Sequence, residues 1–174
     1  FRRIFVVGGG KAAATMARAA EEILGDGLTK GIINVKYGYT EKLDKIKIIE
    51  AGHPIPDDTG VAGTKEIITL IKESKENDLV ISLLSGGASA LLPAPANGIK
   101  LSEKQALTHL LLNCGADIGE INAIRKHISQ IKGGKLAELA YPSTTINLVL
   151  SDVVGGKMDT IASGPTTPDS STFK

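Results

Sequence analysis

The stretch FVVGGGKAAA, residues 5–14, runs from an apolar strand-like segment through three glycines and a lysine into an alanine-rich run of helix-forming composition. A strand that turns on glycines straight into a helix is the feature that most limits what this chain can become. The pattern returns later: DLVISLL leads into SGGASALL, and TTINLVL leads into SDVVGG. Between these segments GIINVK and KIKIIEA read as strands. PDDTGVAGTKEIITLIKES reads as a helix, opening on aspartates suited to an N-cap and placing Val61, Ile67, Ile68 and Ile71 on one face. Two further helices are predicted over about 102–113 and about 118–131, and the first helix shows Met16, Ala19, Ala20 and Ile23 at helical spacing. Strands separated by helices predict an α/β domain with a mostly parallel sheet covered on both faces.

Ligands of such sheets sit beyond the carboxyl ends of the strands, so the polar and glycine-rich strand ends are the places to look. Gly8, Gly9, Gly10 and Lys11 follow the first strand; Ser85, Gly86, Gly87 and Ser89 follow the fourth; Asp152 stands in the last segment, SDVVGG. Glycines let backbone amides approach an anion closely, and a helix N-terminus adds partial positive charge. The first loop is ambiguous in kind. Gly8, Gly10 and Ala13 satisfy the dinucleotide fingerprint, but the second strand ends in Val35, Lys36 and Tyr37 with no carboxylate for a ribose, although Lys36 leaves room for a 2′-phosphate. The Walker pattern fails, since it needs glycine where Phe5 stands and Ser or Thr where Ala12 stands. Lys11 is placed to neutralise a transferring phosphoryl group or a carboxylate.

The helix predicted over about 118–131 combines an apolar stripe, Ile118, Ile121, Ile124, Ile128 and Ile131, with a polar row of Asn122, Arg125, Ser129 and Lys132 on one flank. Two cations and two hydrogen-bonding side chains without an acid suit the wall of an anion site, whereas Lys126 and His127 point elsewhere. His53 follows the third strand and could reach the same sheet edge, while His109 lies among leucines. No His/Cys cluster suggests zinc, but Mg2+ needs only one or two carboxylates, and Asp152 suffices as its protein ligand.

Charge and composition restrict the partners. Twenty basic against nineteen acidic residues leave a net +1, which gives no reason to expect nucleic acid or an anionic membrane. No apolar run approaches the length of a membrane span, and the single cysteine, Cys114, fits a reducing, cytoplasmic setting. The chain opens at Phe1 already inside a strand, which implies a preceding segment.

VVGGGKAAATMARAAE, EAGHPIPDDTG, LLSGGASALL, NAIRKHISQIKGGKLA and SDVVGGKMDTIASGPTTPD resemble, in order and over essentially the whole chain, the signature blocks of the glycerate 2-kinase family of the MOFRL type, whose members have also been labelled hydroxypyruvate reductases. The resemblance implies that residues 1–174 are a three-layer α/β/α Rossmann-like amino-terminal domain, lacking a leading helical segment and a carboxy-terminal MOFRL domain. It implies ATP- and Mg2+-dependent phosphorylation of D-glycerate to 2-phosphoglycerate in a cleft between the two domains, in an enzyme for which a homodimer is one assembly. Lys11, Arg125 and Asp152 are then the catalytic candidates. Gly8 to Gly10, Ser85 to Gly87, Ser89, Asn122 and Lys132 are the candidates for binding substrate or phosphate. The family pattern S-D-V-x-G-D meets Gly156 here, so one carboxylate is absent. An NAD(P)-dependent hydroxypyruvate reductase and a non-catalytic anion-binding domain are the alternatives.

Overall fold

The computed structural model describes residues 1–151 and 157–172. The apolar stretches form β1 (Ile4–Gly9), β2 (Lys30–Lys36), β3 (Ile46–Ala51), β4 (Leu79–Ser85) and β5 (Thr144–Leu150), joined in one sheet of order β3-β2-β1-β4-β5. Every neighbouring pair is parallel. The helices are α1 (Ala13–Leu24), α2 (Asp58–Lys72), α3 (Ala88–Leu91), α4 (Leu101–Asn113), α5 (Ile118–His127) and α6 (Lys135–Ala140). No helix among the described residues is long and apolar enough to cross a membrane.

Side-chain alternation along the strands divides the core into two. Phe5 and Val7 of β1 point to the side that holds Ile67 and Ile71 of α2 and Leu136 of α6. Val6 points to the other side, with Ala13, Ala14 and Ala17 of α1 and Ile33 and Val35 of β2. Each middle strand is thus covered on both faces, the three-layer arrangement that the run of elements predicts. Asp57 caps α2 as expected, accepting a hydrogen bond from the Gly60 amide at 2.8 Å.

Three local expectations are corrected. The fully buried residues of α1 are Ala13, Ala14 and Ala17; of the row read from sequence, Met16 and Ala20 pack partly buried against the core while Ile23 is 83% exposed. Alanines let the helix lie close against the sheet, so the smallest side chains, rather than the largest, choose the face. α5 stops at His127, so Ser129 and Lys132 lie beyond its end, and Ser129 instead forms an antiparallel bridge with Pro95. Of the isoleucine stripe, Ile121 and Ile131 are buried while Ile118 is exposed. Lys135, at the start of α6, explains the early stop, because its ammonium is bonded to the carbonyls of Lys126 at 2.7 Å and Ser129 at 2.8 Å.

Strand order reverses at β1: the chain moves one way to β2 and β3, then crosses back to β4 and β5. A crevice opens at the carboxyl ends of β1 and β4, the position where ligands of doubly wound sheets are found.

Candidate active site at the carboxyl edge of the sheet

The two glycine loops meet at that crevice and are bonded to each other. Gly10 donates its amide to the Asn34 carbonyl at 3.1 Å, and Lys11 donates to Gly86 at 2.9 Å. The Ala12 amide reaches the Ser85 hydroxyl at 3.0 Å. The amides of Gly10, Lys11 and Ala12, in the first of the loops expected to cradle an anion, therefore already have acceptors inside the chain. Gly8 and Gly10 adopt φ of +150° and +140°, and a Cβ on either would overlap β4, at the Leu83 carbonyl or the Ser85 hydroxyl. These glycines are present because the backbones of β1 and β4 pass too close for a side chain. Gly9 is buried like its neighbours. Ser85, a candidate from sequence for binding substrate or phosphate, is 3% exposed and locks the two loops together.

The open space lies next to this joint. A cleft of about 420 Å³ is walled by His53 to Pro56 after β3, by Gly87, Ser89 and Ala90 after β4, by one face of α4, and by Arg125 and Lys132. The side-chain amide of Gln105 on α4 donates to the Pro56 carbonyl at 2.7 Å and so ties two of these walls together. A Cβ on Gly87 would come within 2.8 Å of the His53 ring, so the glycine lets the imidazole lie flat on the β4 loop. Burial, then the nearby charges of Lys11 and Lys36, lower the His53 pKa from its ordinary value, leaving the ring neutral at pH 7. Lys11 is exposed and stands beside Gly87 and His53, at the rim rather than inside the cleft.

The cleft floor is cationic. Lys132 is 1% exposed; its ammonium donates to the Ala162 carbonyl at 3.0 Å and to the Ser89 hydroxyl at 3.3 Å. The Ser89 hydroxyl lies 3.2 Å from that of Ser163, which donates to Asn122 Oδ1 at 3.1 Å. Asn122 is thus buried behind the floor and holds it in place through Ser163. Ser129 has the same kind of duty, accepting the amides of Ile131 and Lys132. Burial, then the charges of Lys104 and Arg125, push the Lys132 pKa down, and burial lowers that of Arg125. No carboxylate among the described residues lines this cleft, nor do three or more metal-ligating side chains gather anywhere among them. Asp152 and Gly156 lie outside the described residues.

The structure therefore brings together Arg125, Lys132, Gly87 and Ser89, sets Lys11 at the rim, and moves Asn122, Ser85 and the first-loop glycines into the supporting frame. Sequence reading missed Lys104 of α4, which lines the cleft and is 6% exposed. Ser102, Glu103 and Gln105 flank it, so nothing in the local sequence sets this lysine apart, and only the packing of α4 buries it.

Comparison with known proteins agrees with this frame. All of residues 1–174 match a family described as Domain of unknown function (DUF4147). Over 171 residues the chain is 50% identical to the D-glycerate 2-kinase of Thermotoga maritima, an alignment covering 98% of this chain and 41% of that protein. An Agrobacterium vitis protein carrying a hydroxypyruvate reductase name is 45% identical over 171 residues, covering 98% of this chain and 44% of its own length. The crystal structure of a glycerate kinase from Thermotoga maritima superposes with a TM-score of 0.94 at 50% identity, over 98% of this chain and 41% of that one. The chain spans about two fifths of the length of these relatives, which leaves room in them for a second domain. With its whole length matched and its sheet shared with a solved kinase, the chain belongs to the DUF4147 family.

Proposed function

We propose that this chain forms the acceptor-binding part of an ATP-dependent glycerate 2-kinase of the cytoplasm, with the facing wall of the cleft supplied by a carboxy-terminal MOFRL-type domain. The observation that carries this reading is the pairing of Arg125 and Lys132 around Ser89 in a cleft whose described residues include no carboxylate. An acid acceptor and a phosphoryl group in transfer both bring negative charge, and preorganised donors facing that charge are what such a reaction requires.

In this reading the 2-hydroxyl oxygen of D-glycerate attacks the γ-phosphorus in line. The new P–O bond forms as the bond from the γ-phosphorus to the β,γ-bridging oxygen breaks, and ADP departs. Arg125 offers its planar guanidinium to the substrate's oxyanion. Lys132 and the Ser89 hydroxyl fix the floor beneath it, and Lys11 at the rim neutralises charge on the transferring group. His53, neutral and on the cleft wall, receives the hydroxyl proton. The described residues of the cleft offer no carboxylate to hold Mg2+; that role is proposed for Asp152, and no described residue is assigned to the metal.

Full-length protein supplied with ATP, Mg2+ and D-glycerate should yield 2-phosphoglycerate, read by phosphorus NMR. Absence of product, together with hydroxypyruvate-dependent oxidation of a reduced nicotinamide, would replace this reading with the reductase one. The packing of Gly8 and Gly10 against β4 weighs against the latter, because it turns the fingerprint glycines towards protein instead of towards a pyrophosphate.

The role of His53 has its own signature. The neutral imidazole is the base, so kcat/KM should fall as pH drops through its lowered pKa in the free enzyme, and the acid limb should sit below the ordinary imidazole value. His53→Gln should abolish that limb and reduce kcat on the order of 10²-fold. An unchanged acid limb in the variant would assign the proton to another group.

A further inference from the structure

Lys104 is a charge for which the fold has no use. It is the one buried residue of the thirteen in α4, and among the described residues its ammonium has no hydrogen-bond partner. The charges around it repel it: Arg125 on α5 and Lys135 on α6 lower its pKa after burial, and Lys132 is depressed by it in turn. The titratable groups lining the same cleft are His53, His109, Arg125 and Lys132, none of them an acid. An ammonium removed from water, without acceptors and among like charges, is costly to keep. Replacement by an apolar residue of similar size would relieve the fold, so whatever retains the lysine is not the folded chain alone.

We propose that Lys104 anchors an anion subsite on the α4 side of the cleft that takes the carboxylate of a small hydroxy acid, with Arg125 as the second contact. The identity of the acid rests on the kinase reading; the subsite does not. A carboxylate fits better than nucleotide phosphates because the ammonium lies out of water in a cleft that Pro54, Ile55, Pro56 and Leu112 also line, where a compact monoanion costs less to desolvate than a polyanion. Burial, then the charges of Arg125 and Lys135, lower the Lys104 pKa to about 8. An arriving carboxylate supplies the missing opposite charge and draws a proton onto the lysine.

The test is calorimetric, on nucleotide-free full-length protein, with Lys104→Met as the size-matched variant and Lys104→Arg as the charge-retaining one. D-glycerate should bind Lys104→Met on the order of 10²-fold more weakly than wild type, whereas ADP affinity stays unchanged and Lys104→Arg keeps most of the glycerate affinity. Glycerol, which lacks the carboxylate, should not distinguish wild type from Lys104→Met. At pH 8, titration in buffers of different ionisation enthalpy should show uptake of about half a proton per glycerate in wild type and none in Lys104→Met; persistence in the variant would assign the proton to His53 or His109 and overturn the proposal. Without ligand, Lys104→Met should melt at or above the wild-type temperature; a lower melting temperature or failure to fold would make the lysine structural and overturn the proposal too. Undiminished glycerate binding by Lys104→Met, or an equal loss of ADP, would do the same. If wild type ignores glycerate but binds another small 2-hydroxy acid in a Lys104-dependent manner, the kinase reading falls and the subsite stands.

Discussion

Replacing Arg125 by alanine in the full-length protein is expected to lower glycerate turnover on the order of 10² to 10³-fold, with the melting temperature close to wild type. Arg125 lines the cleft, burial lowers its pKa, and among the described residues no carboxylate lines the cleft with it. Its guanidinium is therefore open to an anionic substrate. The adjacent Lys126 is the control. It is 5% exposed, and its ammonium faces Asp169 at 3.3 Å and Asp159 at 3.8 Å, on the side of α5 away from the cleft. Lys126→Ala strands Asp169, whose pKa lies below the ordinary carboxylate value because, against the upward push of burial, Ser171 and then the lysine favour the charged form. Because that aspartate remains partly exposed, the loss lies between the surface and the buried limits, about 2 kcal/mol of stability, with little change in kcat. Steady-state kinetics and melting curves on both variants separate the two roles, and equal kinetic losses would overturn the assignment of Arg125 to the cleft.

Gly8→Ala should be among the most damaging single changes in the chain, costing about 4 kcal/mol or more. The residue combines a backbone conformation of φ +150° with a neighbouring strand so close that a methyl group overlaps the Leu83 carbonyl. That neighbour is backbone in the middle of a parallel ladder, where β1 pairs with β4 from Ile4 and Leu79 to Gly9 and Leu84. It cannot turn aside as a side chain could. Chemical denaturation should therefore show loss of cooperative folding, independent of added nucleotide. Were Gly8→Ala to fold with normal stability and merely lose nucleotide affinity, the glycine would be a ligand contact and the packing account would be wrong. This outcome separates the two meanings that a glycine-rich loop carries when it is read from sequence.

Arg125 and Gly8 also mark how far the chain could be read before folding. The spacing of Asn122, Arg125, Ser129 and Lys132 suggested a continuous helical row. α5 ends at His127, yet Arg125 and Lys132 still reach one cleft, because the turn held by the Ser129 hydroxyl folds the lysine back under Ser89. The two cations of the row meet in one cleft, but not by way of the continuous helix that the spacing suggested, and Asn122 and Ser129 stay behind it. For the first-loop glycines the reverse holds: they stand at the sheet edge as expected, but Gly8 and Gly9 belong to the ladder of β1 and the Gly10 amide is taken by the Asn34 carbonyl.

What the sequence determined by itself was the layered α/β architecture and the edge at which a site must lie. Both follow from local properties, namely apolar runs of strand length, helical periodicity between them, and glycines where strands end. The tertiary structure decided which of the edge residues face a ligand and which face protein. Proximity in three dimensions is set by packing between segments distant in the chain, such as Ser85 against Ala12, His53 on Gly87, and Lys104 beside Arg125. No periodicity reports such encounters. A lysine on α4 has the same local character whether it points to water or into a cleft, and only the burial imposed by its neighbours turned Lys104 from a surface charge into an unpaired one.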